Sequence, residues 1–230
     1  MEISVIVPTF NEELTIKKTL EALARLQNIS EVIIVDGGST DKTTEIVENF
    51  KEIKNLRLVN FGVANRGKQL HEGTKHAAHE IFWFIHADAR PVQGSGRQIK
   101  ALMRYREVVG GNFVMVFAGN TRWARFLTWL YSNLRKSGFI YGESAIFARR
   151  ETYQKMKGFK PFPMFEDLDF AKRLRRRGRF VHINLPVTTS ARRFENRSFV
   201  WRFLKWSLLN GFYWVGIPAR LMPKRHKQIR

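Results

Sequence analysis

The chain has 230 residues, 44% of them apolar, which is enough for one well-cored domain and excludes a disordered polypeptide. It contains no cysteine, so disulfides, thiolate metal sites and cysteine nucleophiles are excluded together. Forty Lys and Arg against 20 Asp and Glu give a net charge of +20, an excess to be matched by a polyanion, an anionic membrane surface or phosphorylated ligands.

The opening Met-Glu-Ile-Ser-Val-Ile-Val-Pro lacks a basic leader region and reads as a strand, not a signal peptide, so a cytoplasmic location is expected. Strand-like runs at 3–7, 32–35, 56–60 and 81–85 alternate with helix-like segments at 12–27, 42–50 and 68–79. In the first helix Leu14, Leu20, Leu23, Ala24 and Leu26 recur at roughly helical spacing. This order predicts a parallel, doubly wound α/β sheet. Further strands are expected at 108–117, 141–149 and near 180–185, with a helix over 168–177. Between 117 and 141, Trp123, Phe126, Leu127, Leu130, Tyr131 and Leu134 share one helical face, with Arg122, Arg125, Thr128 and Arg135 off it.

No repeat, low-complexity tract or linker interrupts residues 1–198, which read as one domain. Residues 199–230 differ. They are dense in Trp, Phe, Leu and Tyr, yet the longest uncharged stretch, 206–219, is 14 residues, short of the ~20 a spanning helix needs. With the basic run 224–230 behind it, this tail is expected to pack on the domain or to lie in an anionic membrane interface as an amphipathic element.

The chemistry concentrates at predicted strand ends. Residues 32–41 read Val-Ile-Ile-Val-Asp-Gly-Gly-Ser-Thr-Asp, a buried-strand pattern stopping on Asp36 and Gly37. Ligands of open parallel sheets bind outside such carboxyl ends, although Thr40 or Asp41 equally suits a helix N-cap. Pro8-Thr9-Phe10-Asn11-Glu12 closes the first strand, and Asn11 or Thr9 can cap the next helix. Neither Gly-x-Gly-x-x-Gly nor a P-loop is present. The run 81–85 ends in His86-Ala87-Asp88, two potential ligands for a hard cation that bridges a diphosphate, of which Asp88 is the stronger. Asn65-Arg66-Gly67-Lys68-Gln69 precedes a helix, which places its cations and the helix N-terminus to meet phosphate oxygens. Glu166-Asp167 follows a proline-stiffened aromatic loop. One carboxylate can take a proton from an acceptor while the other orients it or caps the helix.

Together these segments resemble glycosyltransferase family 2, the inverting nucleotide-sugar transferases of GT-A fold, over 3–88 and again over 141–194. Residues 3–12, 36–41, 86–88 and 166–167 resemble its opening loop, nucleotide segment, Asp-x-Asp metal motif and Glu-Asp catalytic pair. More narrowly, 141–144, 164–168 and 188–194 resemble the radical-SAM/selenodomain-associated transferase 2 subgroup. The resemblance implies a GT-A fold, a mixed and mostly parallel central sheet flanked by helices. It implies that Thr9, Glu12 and Asp36 hold base and ribose, with Asp36 accepting from a pyrimidine N–H and Pro8, Gly37 and Ala87 beside them. Lys68 would approach the phosphates, and Asp88, with His86, would ligate Mg2+ or Mn2+. Asp167 would be the general base with Glu166 beside it, while Gly142, Glu143, Arg192 and Arg193 would face the acceptor or diphosphate. His86 departs from the family's usual Asp and brings no negative charge at neutral pH.

The expected activity is therefore metal-assisted transfer of a sugar from a UDP- or GDP-linked donor, with inversion, to a hydroxyl or phosphate of a lipid-linked acceptor. The enzyme would be peripheral on the inner face of the membrane. A nucleotidyltransferase of the same fold is the alternative, although Pro8–Glu12 replaces the Gly-rich, basic segment such enzymes carry after the first strand. A nucleic-acid binder is suggested by charge and six tryptophans alone, and no specific nucleic-acid partner is expected.

Overall fold

A computed structural model describes residues 1–162 and 164–190, together with Ser207, Leu208, Gly211 and Val215. Arg192, Arg193 and the aromatic, basic tail, apart from those four positions, lie outside the described residues.

Eight strands form one sheet in the order β3-β2-β1-β4-β7-β6-β8-β5. The strands are β1 (Ile3–Thr9), β2 (Glu31–Asp36), β3 (Leu56–Asn60), β4 (Ile81–Phe84), β5 (Arg90–Pro91), β6 (Val108–Phe117), β7 (Phe147–Arg149) and β8 (Arg179–Thr189). The helices are α1 (Ile16–Ala24), α2 (Thr43–Glu48), α3 (Arg66–His76), α4 (Ser95–Met103), α5 (Arg122–Leu134), α6 (Arg150–Lys155) and α7 (Glu166–Arg175). The first four long strands pair in parallel, β6 pairs β8 in parallel, and β7 and β5 run antiparallel to their neighbours.

The period of two along each strand sorts the core into two layers. Val5, Val7, Val32 and Ile34 point to one face, where they meet Leu20 and Leu23 of α1, Val47 of α2 and Ile99 and Met103 of α4. Ile6, Ile33 and Val35 point to the other, against Leu70 of α3, Tyr153 of α6 and Phe170 and Leu174 of α7. All of β2 is buried because helices cover both faces, which is why its sequence runs apolar without alternation. Each such fully buried Leu, Ile or Phe contributes about 1.5–3 kcal/mol.

Strand order reverses at β1, with β2 on one side and β4 on the other. The carboxyl ends of these three strands therefore open into one crevice, the switch point where open sheets bind ligands. Thr9, Asp36 and the turn after Phe84 all lie there.

Four sequence expectations change. The segment 141–149 is extended only at Phe147–Arg149, because Gly142–Ser144 is a turn of 3-10 helix followed by Ala145 at φ 51°. Helix α1 starts at Ile16, four residues late, since Glu12 carbonyl first accepts from the N–H groups of Thr15 and Ile16 in a separate turn. Helix α7 starts at Glu166, so both carboxylates belong to its first turn. On α5, Phe126 is exposed and Arg135, just past its end, is buried. The reason lies in β8, where the register skips Asn184 and Leu185 ahead of Pro186. Arg135 donates to the Ile183 carbonyl at 3.1 Å and to Asn184 Oδ1 at 2.8 Å, both at this irregularity. Helices α4 and α6 and strand β5 were not anticipated.

Candidate active site

At the carboxyl ends of β1 and β2, two loops are tied into one unit by hydrogen bonds. Asp36, at the end of β2, is buried, and both of its oxygens are used. Oδ2 accepts from the backbone N–H groups of Gly38 and Ser39 at 2.8 and 2.7 Å, and Oδ1 accepts from the Thr9 hydroxyl at 3.2 Å and from the Ser39 hydroxyl. Asn11, at φ 53°, accepts from the Thr40 N–H at 2.8 Å, while its own N–H donates to Ser39 Oγ at 2.9 Å. The Glu12 N–H donates to Thr43 Oγ1 at 2.7 Å, and Glu12 Oε2 accepts from the Thr15 hydroxyl at 2.6 Å. Gln69 closes the floor. It is buried in α3 and its side-chain amide donates to the carbonyls of Thr9 and Val35, both at 2.8 Å. Pro8 and Gly37 belong to this wall, with the Gly37 N–H on the Thr9 carbonyl at 2.8 Å. A base reading Asp36 would displace one of its hydroxyl donors.

The turn after β4 carries His86, Ala87 and Asp88. Thr19 of α1 donates to the Ala87 carbonyl at 2.8 Å, and the Ala89 N–H donates to the His86 carbonyl at 3.0 Å. Among the described residues no three His, Asp or Glu side chains gather as a metal cluster. Asp88 supplies one carboxylate, which suits Mg2+ or Mn2+ completed by substrate phosphates, and His86 offers an imidazole nitrogen two residues before it.

On the opposite wall the chemistry is ionic. Glu166 and Asp167 open α7, with side chains 3% and 6% exposed. They converge on Arg66, the first residue of α3, whose Nε pairs with Glu166 and whose Nη2 lies 3.3 Å from Asp167 Oδ2. Arg66 Nη1 stands 3.9 Å from Glu143 and 3.4 Å from His86 Nε2. His86 thus lies between Arg66 and Glu143, with Nδ1 3.9 Å from Glu143 Oε1, and the direction of its contact with the guanidinium follows its tautomer. Asp167 Oδ2 also accepts from the Gly142 N–H at 2.6 Å, and Oδ1 from the Leu168 N–H at 2.8 Å. A Cβ on Gly142 would stand 2.8 Å from His86 Nε2 and 3.1 Å from Asp167 Oδ2, so this approach requires glycine. Phe165, which precedes the pair, holds a left-handed φ of 61° without a side-chain cap on α7.

Burial pushes the Asp167 carboxyl up to about 6; Arg66 opposes this, and Glu166 and Glu143 add to it. Burial raises the phenols of Tyr131 and Tyr141, and the charges of Glu143 and Asp167 add to it, the two rings meeting edge-on at 5.0 Å. The Gly142 turn is braced from below. His182 Nδ1 meets Asn112 Oδ1 at 2.7 Å, Asn112 Nδ2 donates to Ser144 Oγ at 3.1 Å, and that hydroxyl donates to the Tyr141 carbonyl. His182 is kept neutral, its pKa lowered to about 4 by burial and by the charges of Arg135 and Arg175.

The structure thus brings Thr9, Glu12, Asp36 and Gly37 to one wall and Glu143, Glu166 and Asp167 to the other, with His86 and Asp88 on the turn at the end of the intervening strand. Lys68 stays exposed on α3, its N–H taken by the N-cap Asn65 at 2.9 Å. Arg66 was expected to face phosphate and instead meets carboxylates. Asn112 and Gln69 escaped notice, although a lone Asn inside the apolar run 108–117 is a usable signal.

Residues 4–194 match the sequence profile of Glycosyl transferase family 2. A curated relative is the Methanococcus voltae dolichyl N-acetyl-alpha-D-glucosaminyl phosphate 3-beta-D-2,3-diacetamido-2,3-dideoxy-beta-D-glucuronosyltransferase, 35% identical over 97 residues, 40% of this chain and 30% of that protein. Among solved structures, the Pyrobaculum calidifontis mannosyltransferase PcManGT with GDP-Man and Mn2+ superposes with a TM-score of 0.73 at 21% identity, covering 93% of this chain and 63% of that one. Staphylococcus aureus TarS 1-349 with UDP-GlcNAc gives 0.67 at 20% identity, covering 83% and 58%. The chain spans between 16% and 60% of the length of curated relatives it matches. By its family match and its fold neighbours, the chain belongs to glycosyl transferase family 2 and has the GT-A fold.

Proposed function

We propose that this domain transfers a sugar from a nucleoside-diphosphate sugar to an acceptor hydroxyl or phosphate, with inversion at the anomeric carbon. The observation that carries this reading is Asp167, a buried carboxylate with a raised pKa at the rim of the switch-point crevice. Asp167 accepts the proton of an acceptor hydroxyl as its oxygen attacks the anomeric carbon, and the bond to the diphosphate breaks on the opposite side. Thr9, Glu12, Asp36 and the loops around Pro8, Gly37 and Ala87 hold the nucleoside, while Lys68 and the N-terminus of α3 stand toward the phosphates. Asp88, with His86, would hold Mg2+ or Mn2+, which when bound neutralises charge on the departing nucleoside diphosphate. Gly142 and Glu143 serve the acceptor or the diphosphate, a role also assigned to Arg192 and Arg193, which lie outside the described residues.

The donor is UDP- or GDP-linked on the strength of the two ligand-bound neighbours. A lipid-linked acceptor is supported by the dolichyl-phosphate relative, by Phe126 and Trp129 exposed at 37% and 63% on α5, and by the basic, aromatic tail. No described helix is long and apolar enough to cross a membrane, and the basic, aromatic tail supports peripheral contact. The finer likeness to the radical-SAM/selenodomain-associated transferase 2 subgroup rests on 141–144, 164–168 and 188–194.

A thermal-shift panel of nucleotide sugars with and without Mn2+ tests the reading. A cognate donor at 100 times its Kd adds about 2.7 kcal/mol of stability. A flat response to every UDP- and GDP-sugar would contradict it. Truncation after Phe194 should release the protein from anionic liposomes, and undiminished binding would remove the membrane part.

A further inference from the structure

We infer that Arg66 is a positioning residue for transfer: its guanidinium, delivered by the helix beside the nucleotide crevice, orients Glu166 and Asp167 and does not bind the donor diphosphate. This rests on the transferase reading above. The inference comes from how the guanidinium is used. Each of its three nitrogens already faces a partner: Nε faces Glu166, Nη2 faces Asp167, and Nη1 faces His86 and Glu143. Its side chain is 23% exposed, against 3% for Glu166 and 6% for Asp167, so the guanidinium is the outermost of the three groups.

The placement is fixed by packing as well as charge. A Cβ on Gly67 would stand 2.9 Å from the Lys160 carbonyl and 3.3 Å from Glu166 Cγ, so the first turn of α3 rests directly on the catalytic pair. Asn65 caps that turn by accepting from the Lys68 N–H, which fixes where the next residue emerges. Two adjacent buried carboxylates cannot both stay ionised without a compensating cation. The start of α7 helps through its dipole, but Phe165 gives it no side-chain cap, and Arg66 is the cation paired with both acids. A guanidinium suits this task because its planar fork holds several carboxylates at set angles, which an ammonium cannot do. Arg66 therefore ties α3 on the nucleotide side to α7 on the acceptor side, 100 residues away.

The test measures release of UDP or GDP from the cognate nucleotide sugar, with water as acceptor, and donor affinity by calorimetry on the same preparations. Arg66→Ala should lower kcat by ~100-fold, the scale of a misplaced catalytic group. Donor Kd should stay within about threefold, since no diphosphate contact is lost. Added guanidine at about 50 mM should restore about tenfold of the Arg66→Ala rate and leave wild type and Asp167→Asn unchanged, because a diffusible guanidinium refills the same fork. Arg66→Lys, which keeps charge and most volume, guards against a folding artefact and should also turn over slowly at unchanged Kd, because it cannot bridge both acids. A Kd that weakens in step with kcat would place Arg66 on the diphosphate and overturn the inference. So would wild-type rates in both variants, or a folded Arg66→Ala that guanidine does not rescue. If wild type itself turns over no nucleotide sugar, the transferase reading falls and takes the inference with it, an outcome distinct from active wild type with indifferent Arg66 variants.

Discussion

The two walls of the crevice solve the problem of buried acid in opposite ways. At the end of β2 Asp36 is held by dipoles: two backbone N–H groups and two hydroxyls fill its oxygens, and every donor comes from its own loop or the next. Around the start of α7 three carboxylates share one guanidinium reached from another layer of the fold, and Asp167 is left with a raised pKa. A hydrogen-bonded carboxylate of the first kind makes a rigid binding surface. A crowded ionic cluster of the second kind keeps a proton acceptor near the pH at which it must work. Binding should therefore depend on the first wall and turnover on the second.

The sharpest way to break this contrast is Asp167→Asn, which keeps volume and removes the base. It should lower turnover by ~1,000-fold, within the usual span of general-base catalysis. Next is Asp36→Ala, which strands the donors that filled the carboxylate. Donor affinity should fall by about 100-fold in calorimetry while saturated turnover stays within a few-fold, and unchanged affinity would remove Asp36 from the binding wall.

The third prediction uses pH. With Asp167 at about 6, donor turnover should climb tenfold per unit below that value and level off above it, while donor Kd stays flat. The stability linkage has a definite sign. The folded carboxyl titrates above its ordinary 3.8, so folding favours the protonated form; its contribution is fully present below about 4 and is lost as pH rises to about 6. The melting-temperature advantage of Asp167→Asn over wild type should therefore grow between those two values. Equal advantage at both ends would show that burial does not raise this group.

A smaller effect belongs to the cap that positions Arg66. Asn65→Ala removes the side chain that accepts the Lys68 N–H and should cost about 1 kcal/mol in denaturant melts, with turnover reduced more than donor affinity. A loss shared equally by both would count against the cap acting through Arg66.

Much of this was legible in the sequence, and for identifiable reasons. Short β-branched runs that stop on Thr9, Asp36 and the residues before His86 announce parallel strands, and the switch-point rule then places their ends together. Adjacent Glu166 and Asp167 are visible as a pair without any structure. What was hidden depends on tertiary contact. Nothing in Asn65-Arg66-Gly67-Lys68 separates a phosphate-facing arginine from one that crosses to a helix 100 residues on. The stretch around Gly142 reads as strand by composition, yet it turns so that its N–H can reach Asp167. Arg135 reads as solvent-facing and is drawn inward by the Ile183 carbonyl and the Asn184 side chain at a bulge of β8, which no helical periodicity reports.

The central claim is that the acid at the start of α7 performs chemistry and does not bind donor. One titration series on Asp167→Asn measures both quantities, donor Kd by calorimetry and nucleoside-diphosphate release on the same sample. The account predicts a Kd within about threefold of wild type beside the ~1,000-fold loss of turnover. Turnover within a few-fold of wild type, or a Kd that collapses with it, would contradict the assignment.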